Sequence, residues 1–269
     1  MAKTAIKIAI CLICIILMTS NVCMETNGQE DNQANSQANG IVTAQSTTVK
    51  SILEEMDKRI NKDCEQKCEM EVWENNKMTE YFLMTNKAKD NNQYLLTRYI
   101  YPPQWVDTSL LMVKEDVWIY DGNSDRFMQM PANLAFGGTG LSHGDMLRLN
   151  ISKNYDGKII QEDNDTWTVS LSTVDKKMPY DTIEMVINKK WYYPISAKCF
   201  SRSKKQIKTI EYSDVKELNG TMKPTKYTFL SPFEPDKYTV MKIVDEKLVQ
   251  YPDYIFNKWV LRSKIDEKF

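Results

Sequence analysis

The sequence predicts a mainly β protein whose strands form one large antiparallel sheet. Between Leu110 and Tyr227 many short segments alternate apolar and polar side chains, as where Trp167, Val169 and Leu171 interleave with threonines and serines. A period of two is typical of a strand with one buried and one solvated face. A sheet with many such strands must curl or stack to hide its apolar face, so we expect an apolar concavity. Further alternating positions are Ile183, Met185, Ile187, Ile195, Ala197, Cys199, Tyr227 and Phe229.

One helix precedes the strands. In residues 47–61 the apolar side chains recur at helical spacing and form a single stripe, which predicts a helix with one face on the sheet. Strands are then expected at residues 68–73, 78–85, 94–101, 109–113, 117–120 and 126–130, and again from about 158 to 244. The apolar residues of segment 254–262 predict that this segment packs against the sheet.

The connection 131–144 differs from the others. It places Leu134, Phe136 and Leu141 among several glycines, and a short helix is expected to begin at Asp145. Apolar side chains on a glycine-rich loop are unusual for a solvated connection. We therefore expect this loop to act as a lid over an opening in the sheet.

The amino terminus indicates export. Lys3 and Lys7 precede an unbroken apolar run over residues 8–18, which is short for a membrane span and typical of a secretory signal. Residues 1–23 are predicted to be a signal peptide or a lipoprotein signal, and Cys23 stands where a lipidated cysteine would be. Ser20 and Val22 depart from the usual lipobox, so an ordinary signal residue at position 23 and an uncleaved anchor remain alternatives. Residues 24–46 have the polar composition of a flexible tether.

The charge and composition of the sequence restrict the class of partner and the number of domains. The formal net charge is −1, and it becomes about −3 without the two lysines of the signal segment. With no basic block in the sequence, a nucleic-acid partner is not expected. Residues 47–269 show no further change in composition and no internal repeat, so one domain is predicted.

The sequence offers no constellation for catalysis or metal binding, and we expect neither enzymatic activity nor a cofactor. Ser142, His143 and Asp145 lie within four residues, and we interpret them as an exposed polar turn that caps the next helix. Cys64 and Cys68 have no histidine nearby, which disfavours zinc. A disulfide between these two cysteines, or from either to Cys199, is left open, although alternation predicts a buried Cys199 thiol.

A resemblance runs through most of the chain from about residue 47. The run Asp116-Val-Trp-Ile-Tyr-Asp, Arg126-Phe-Met-Gln-Met-Pro, Phe136-Gly-Gly and Leu141-Ser-His-Gly-Asp-Met resembles the central signature of the outer-membrane lipoprotein-sorting proteins, the LolA/LolB-like carriers. That resemblance implies an incomplete antiparallel β-barrel, a half-barrel whose concave face is covered by helices and a loop. It also implies a carrier or receptor for the acyl chains of lipids or lipoproteins in the cell envelope, membrane-associated or tethered.

An incompletely closed sheet leaves a cavity of the kind that ligands use, and its apolar lining agrees with that function. A second class is an extracytoplasmic sensor or scaffold that binds an envelope protein partner, for instance along a strand edge. The residues expected to line the cavity and lid are Met70, Phe82, Trp118, Leu134, Phe136, Met146, Trp167 and Met185.

Lipid attachment at Cys23 predicts that Cys23→Ser moves the protein from the membrane fraction to the soluble fraction, because the acyl anchor is lost. Immunoblots of fractionated cells measure this partitioning, and Cys14→Ser in the same segment is the matched control. If Cys23→Ser partitions like the wild type, Cys23 is not a lipid anchor, and plain secretion or an uncleaved anchor becomes the explanation of the amino-terminal segment.

Overall fold

The computed structural model describes residues 48–114, 116–131, 133–146 and 150–262. The predicted signal (1–23) and tether (24–46), with Cys23, lie outside the described residues. Within these residues, no helix combines the length and the apolar composition needed to cross a membrane.

The predicted amino-terminal helix is confirmed as α1, Val49–Ile60. The Thr48 side chain caps its start by accepting a hydrogen bond from the backbone N–H of Ser51, at 3.2 Å. The basic residues of its last turn complement the helix dipole. The apolar stripe of α1 is buried against the sheet, so the helix covers part of the sheet's apolar face.

A thirteen-stranded antiparallel sheet dominates the fold, which confirms the predicted mainly β class. The strands of the described residues are β1 Cys64–Glu74, β2 Lys77–Lys89, β3 Tyr94–Tyr101, β4 Thr108–Val113, β5 Asp116–Asp121, β6 Arg126–Met130, β7 Ala135–Phe136, β8 Leu141–Ser142, β9 Tyr155–Glu162, β10 Thr166–Thr173, β11 Thr182–Asn188, β12 Pro194–Phe200, β13 Gln206–Leu218, β14 Thr221–Ser231 and β15 Glu234–Leu248. The order in the large sheet is β6-β5-β4-β3-β2-β1-β15-β14-β13-β12-β11-β10-β9. This sheet is open, because its described edge strands β6 and β9 are not paired with each other.

The lid segment has more structure than its sequence suggested. Strands β7 and β8 form a separate two-stranded sheet, and a short helix α2, His143–Met146, follows directly. The expected helix start at Asp145 was therefore two residues late. A second short helix, α3 at Ile151–Asn154, was not predicted from sequence.

The carboxyl-terminal segment packs against the sheet, as predicted, and it lies on the convex side. It forms two 3₁₀ turns, Asp253–Phe256 and Lys258–Arg262. Phe256 and Leu261 are buried against Leu96 and Leu111 of β3 and β4. The Arg98 guanidinium donates to the Val260 carbonyl at 2.7 Å, which fixes the last turn to the sheet.

The concave face also buries an ion pair between Lys223 and Glu246, which no sequence pattern revealed. The Lys223 ammonium lies 2.5 Å from Glu246 Oε2, and both side chains are almost fully buried. Gln66 and Asn219 donate further hydrogen bonds to the same carboxylate. Burial raises the pKa of Glu246, but the Lys223 ammonium and these donors lower it more, so the net pKa lies below its usual range.

Lys223→Met should destabilise the domain by about 3–5 kcal/mol, because it leaves the Glu246 carboxylate buried without its cation. The double variant Lys223→Met/Glu246→Leu should lose less stability than this single variant. Urea unfolding measures both.

The control for this pair is Lys242→Met, which breaks the partly exposed Lys242–Glu71 pair and should cost about 1 kcal/mol or less. The stability loss of the double variant is compared with the summed losses of Lys223→Met and Glu246→Leu measured singly. If the two values are equal, Lys223 and Glu246 are not coupled.

Candidate functional site

The concave side of strands β11 to β15 lines a partly open cavity of about 120 Å³. The sheet forms its floor, and α1, α2, α3 and the loop before β11 form its roof and walls. Most of the surface lining it is apolar. The lining residues are Met56, Asp57, Ile60, Asn61, Gly144, Asp145, Ile151, Tyr155, Pro179, Tyr180, Ile183, Met185, Pro194, Ala197, Cys199, Ile210, Tyr212, Tyr227, Phe229 and Met241.

Small side chains on β12 explain why the cavity lies here. Ala197 is paired with Met185 on one neighbouring strand and with Ile210 on the other. Cys199 is likewise paired with Ile183 of β11. Two small side chains between larger neighbours leave a furrow along β12. The covering helices do not fill this furrow completely, so a void remains.

A buried charged cluster joins the lid to the sheet beside this cavity. The carboxylate of Asp145 on α2 lies 2.5 Å from the Lys208 ammonium of β13. It also accepts the Ser142 hydroxyl at 2.9 Å and the Tyr180 hydroxyl. These contacts attach α2 to β13 and to the loop before β11.

The Ser142, His143 and Asp145 group was expected to be an exposed turn, and that prediction was wrong. All three residues are buried. The capping role is present, since the Ser142 hydroxyl accepts from the Asp145 N–H. The ring of His143 instead contacts the Leu134 carbonyl through Nδ1, at 2.9 Å. The three side chains therefore form no relay from a hydroxyl through the histidine to the acid.

A second carboxyl group, that of Asp57 on α1, lies in the cavity wall. Its Oδ2 accepts the Ser152 N–H at 2.6 Å, and its Oδ1 accepts the Ile151 N–H at 3.4 Å. Asp57 therefore binds the start of α3. Burial raises its pKa to about 6, and the hydrogen bonds from Ser152 and Ile151 only partly oppose this rise.

The one cysteine that lines the cavity among the described residues, Cys199, has an unreactive thiol. Cys64, Cys68 and Cys199 are all buried and form no disulfide, so none of the three pairings left open is present. Burial, with the nearby Asp145 carboxylate, raises the pKa of Cys199 far above its usual value. A thiol in this environment stays protonated and is a poor nucleophile.

The structure separates the eight residues expected to line the cavity and lid. Met185 lies in the cavity wall. Met70, Phe82, Phe136 and Trp167 are buried in the same core but do not line the cavity.

The remaining three of the eight lie elsewhere. Trp118 packs on the convex face with the carboxyl-terminal turns, and Leu134 is 42% exposed on the lid. Met146 ends α2, and its side chain lies outside the described part of the chain. Contact of these eight residues with a ligand stays a prediction.

Phe136 shows how the lid is held. Its ring stacks on Tyr99 at 6.2 Å and packs edge-on against Phe82. The lid thus inserts an aromatic anchor over strands β2 and β3, whereas Gly144 and Asp145 at its end cover the cavity. Sequence alternation already named six of the true lining residues as inward-facing: Ile183, Met185, Ala197, Cys199, Tyr227 and Phe229.

The fold is similar to that of solved LolA superfamily proteins. The structure is similar to a LolA superfamily protein from Nitrosomonas europaea, with a TM-score of 0.72 and 20% identity over 80% of this chain and 100% of that one. A domain described as an outer membrane lipoprotein-sorting protein from Vibrio parahaemolyticus has a TM-score of 0.69 and 19% identity, over 80% of this chain and 98% of that one. A DUF1329 family protein from Desulfovibrio piger has a TM-score of 0.69 and 17% identity, over 79% of this chain and 97% of that one. This likeness confirms the half-barrel that the sequence resemblance implied.

Within that fold class, residues 75–263 match a family model whose description is "Uncharacterized protein", and the chain belongs to that family. No curated protein matches the sequence.

Asp57 predicts a specific pH dependence of stability. Its pKa in the folded protein, about 6, lies above its ordinary value of 3.8, so the folded state holds a proton that the unfolded state releases between these pH values. The stability that this proton on Asp57 contributes to the folded protein is therefore fully present below about pH 4, and it is lost as the pH rises through 6. Relative to Asp57→Asn, the wild-type protein should lose on the order of 3 kcal/mol of unfolding free energy between pH 4 and pH 8.

Urea unfolding at closely spaced pH values measures this difference. Glu54→Gln, on the exposed side of the same helix, is the control and should leave the shape of the wild-type profile unchanged. Parallel profiles for the wild type and Asp57→Asn would contradict the assignment.

Proposed function

We propose that this protein binds acyl chains in the cavity beneath α1 and the lid, as an extracytoplasmic carrier or receptor for lipids or lipoproteins. The observation that carries this proposal is the apolar furrow along β12, covered but not filled. The fold of its structural relatives supports the same class, and one of them is itself described as a lipoprotein-sorting domain.

Burial of an alkyl chain supplies the driving force. Each methylene moved from water into an apolar site contributes about 0.8 kcal/mol. The cavity wall includes the methionines Met56, Met185 and Met241. Their unbranched thioether side chains adapt to acyl chains of different shape. A cavity with this lining is suited to chains that vary in length or branching.

The size of the cavity indicates how a chain enters. Pockets that enclose whole small ligands usually measure about 300–1,000 Å³, against about 120 Å³ here. A long acyl chain therefore requires the covering elements to move outward. Helix α1 and the lid lie on the sheet without being hydrogen-bonded strands of it, so they separate from it at less cost than any strand.

The amino-terminal segment agrees with an envelope location. We propose that residues 1–23 direct export, and that residues 24–46 tether the domain 47–269 at the membrane, through Cys23 if it is lipidated. A domain held near the membrane by such a tether meets acyl chains at high local concentration.

Filling the furrow tests the proposal. The wild-type protein should bind the uncharged fluorescent probe N-phenyl-1-naphthylamine, whose emission rises in an apolar site. Ala197→Phe should weaken this binding at least tenfold, because the new ring occupies the furrow that the probe would enter. Fluorescence titration measures the affinity, and the melting temperature shows whether the variant remains folded.

The matched control is Lys198→Phe, which places the same side chain on the exposed face of the same strand and should leave binding unchanged. Absence of probe binding to the wild type would contradict the acyl-binding proposal and favour a sensor or scaffold that binds a protein partner.

A further inference from the structure

One hydroxyl in the cavity wall, that of Tyr212, has no hydrogen-bond partner among the described residues. Tyr212 lies on β13, where it alternates with Ile210 and Lys208 on the concave face. Its side chain is only partly buried, it lines the cavity, and its hydroxyl makes no hydrogen bond within the described part of the chain. Burial keeps the pKa of this hydroxyl well above its usual value, so the group remains a donor.

The other hydroxyls of the wall are already used. Tyr155 donates to the Tyr180 carbonyl at 3.1 Å, and Tyr227 donates to the Pro224 carbonyl at 3.3 Å. The Tyr180 hydroxyl donates to Asp145. Tyr212 is therefore the tyrosine of this wall whose hydroxyl can serve a ligand.

The charges around the cavity determine which acceptor Tyr212 can serve. The described residues that line it include the carboxyl groups of Asp57 and Asp145 but no lysine or arginine. Two cations beside these acids are engaged, since the Lys208 ammonium binds Asp145 and the Lys50 ammonium donates to the Ser152 carbonyl at 2.5 Å. A carboxylate head group would therefore be desolvated beside two acids without a cation of its own.

We propose that the cavity selects acyl chains that end in an uncharged carbonyl, an ester or an amide, and that the Tyr212 hydroxyl donates a hydrogen bond to this carbonyl. Free fatty acids, which are anionic at neutral pH, are excluded. This inference rests on the proposed function, because it concerns the ligand of the same cavity.

A matched set of ligands tests the selection. Methyl dodecanoate, dodecanoic acid and dodecane share one chain and differ in the terminal group. At pH 8 the ester should displace N-phenyl-1-naphthylamine at a concentration at least tenfold lower than the acid. Tyr212→Phe should weaken binding of the ester about three- to tenfold, the effect of one hydrogen bond, and should leave displacement by dodecane unchanged.

Tyr227→Phe is the control, because the hydroxyl it removes donates within the protein, and it should leave the preference for the ester intact. Equal or tighter binding of the acid would overturn the selection while leaving acyl binding in place. Unchanged ester affinity in Tyr212→Phe would overturn the role of the hydroxyl. If neither the probe, the ester nor dodecane binds, the proposed function itself fails, and this inference fails with it.

Discussion

The fold depends on covering the apolar concave face of an open sheet. Because the two edge strands of the described sheet do not pair, this face cannot be sealed by closure, and other parts of the chain must cover it. Helix α1 has only twelve residues, and the lid adds two short strands and one helical turn. These elements cover the face but do not fill it above β12, where Ala197 and Cys199 are small. The cavity therefore lies where the short covering elements, α1 and the lid, face the small side chains of β12.

Polar contacts hold this cover in place as much as apolar packing does. Asp57 joins α1 to α3, and Asp145 joins the lid to Lys208 on β13. Buried carboxyl groups add little net stability, because desolvation offsets much of their attraction. They do restrict the geometry, since a misplaced carboxylate would be buried without partners. The strands of this cover, β7 and β8, make no pairing with the main sheet.

The sequence was sufficient for the sheet and for the buried faces of strands β10 and β11, because alternation at a period of two follows burial directly. It placed α1, the strands of the first half and the carboxyl-terminal packing. It did not locate the cavity. We expected large side chains such as Trp118 and Phe136 to line it, whereas the structure buries Phe136 in the core and places Trp118 on the other face. A void forms where side chains are small, and pairings such as Asp145 with Lys208 join residues far apart in the chain.

Native mass spectrometry of the protein, purified from its own cells without harsh detergent and followed by lipid extraction, tests the central claim most directly. Acyl binding predicts a population heavier than the apoprotein by the mass of one acyl-bearing molecule, whose extracted form carries ester- or amide-linked chains. Protein that keeps only its apo mass, even after incubation with lipids extracted from the same cells, would contradict acyl binding.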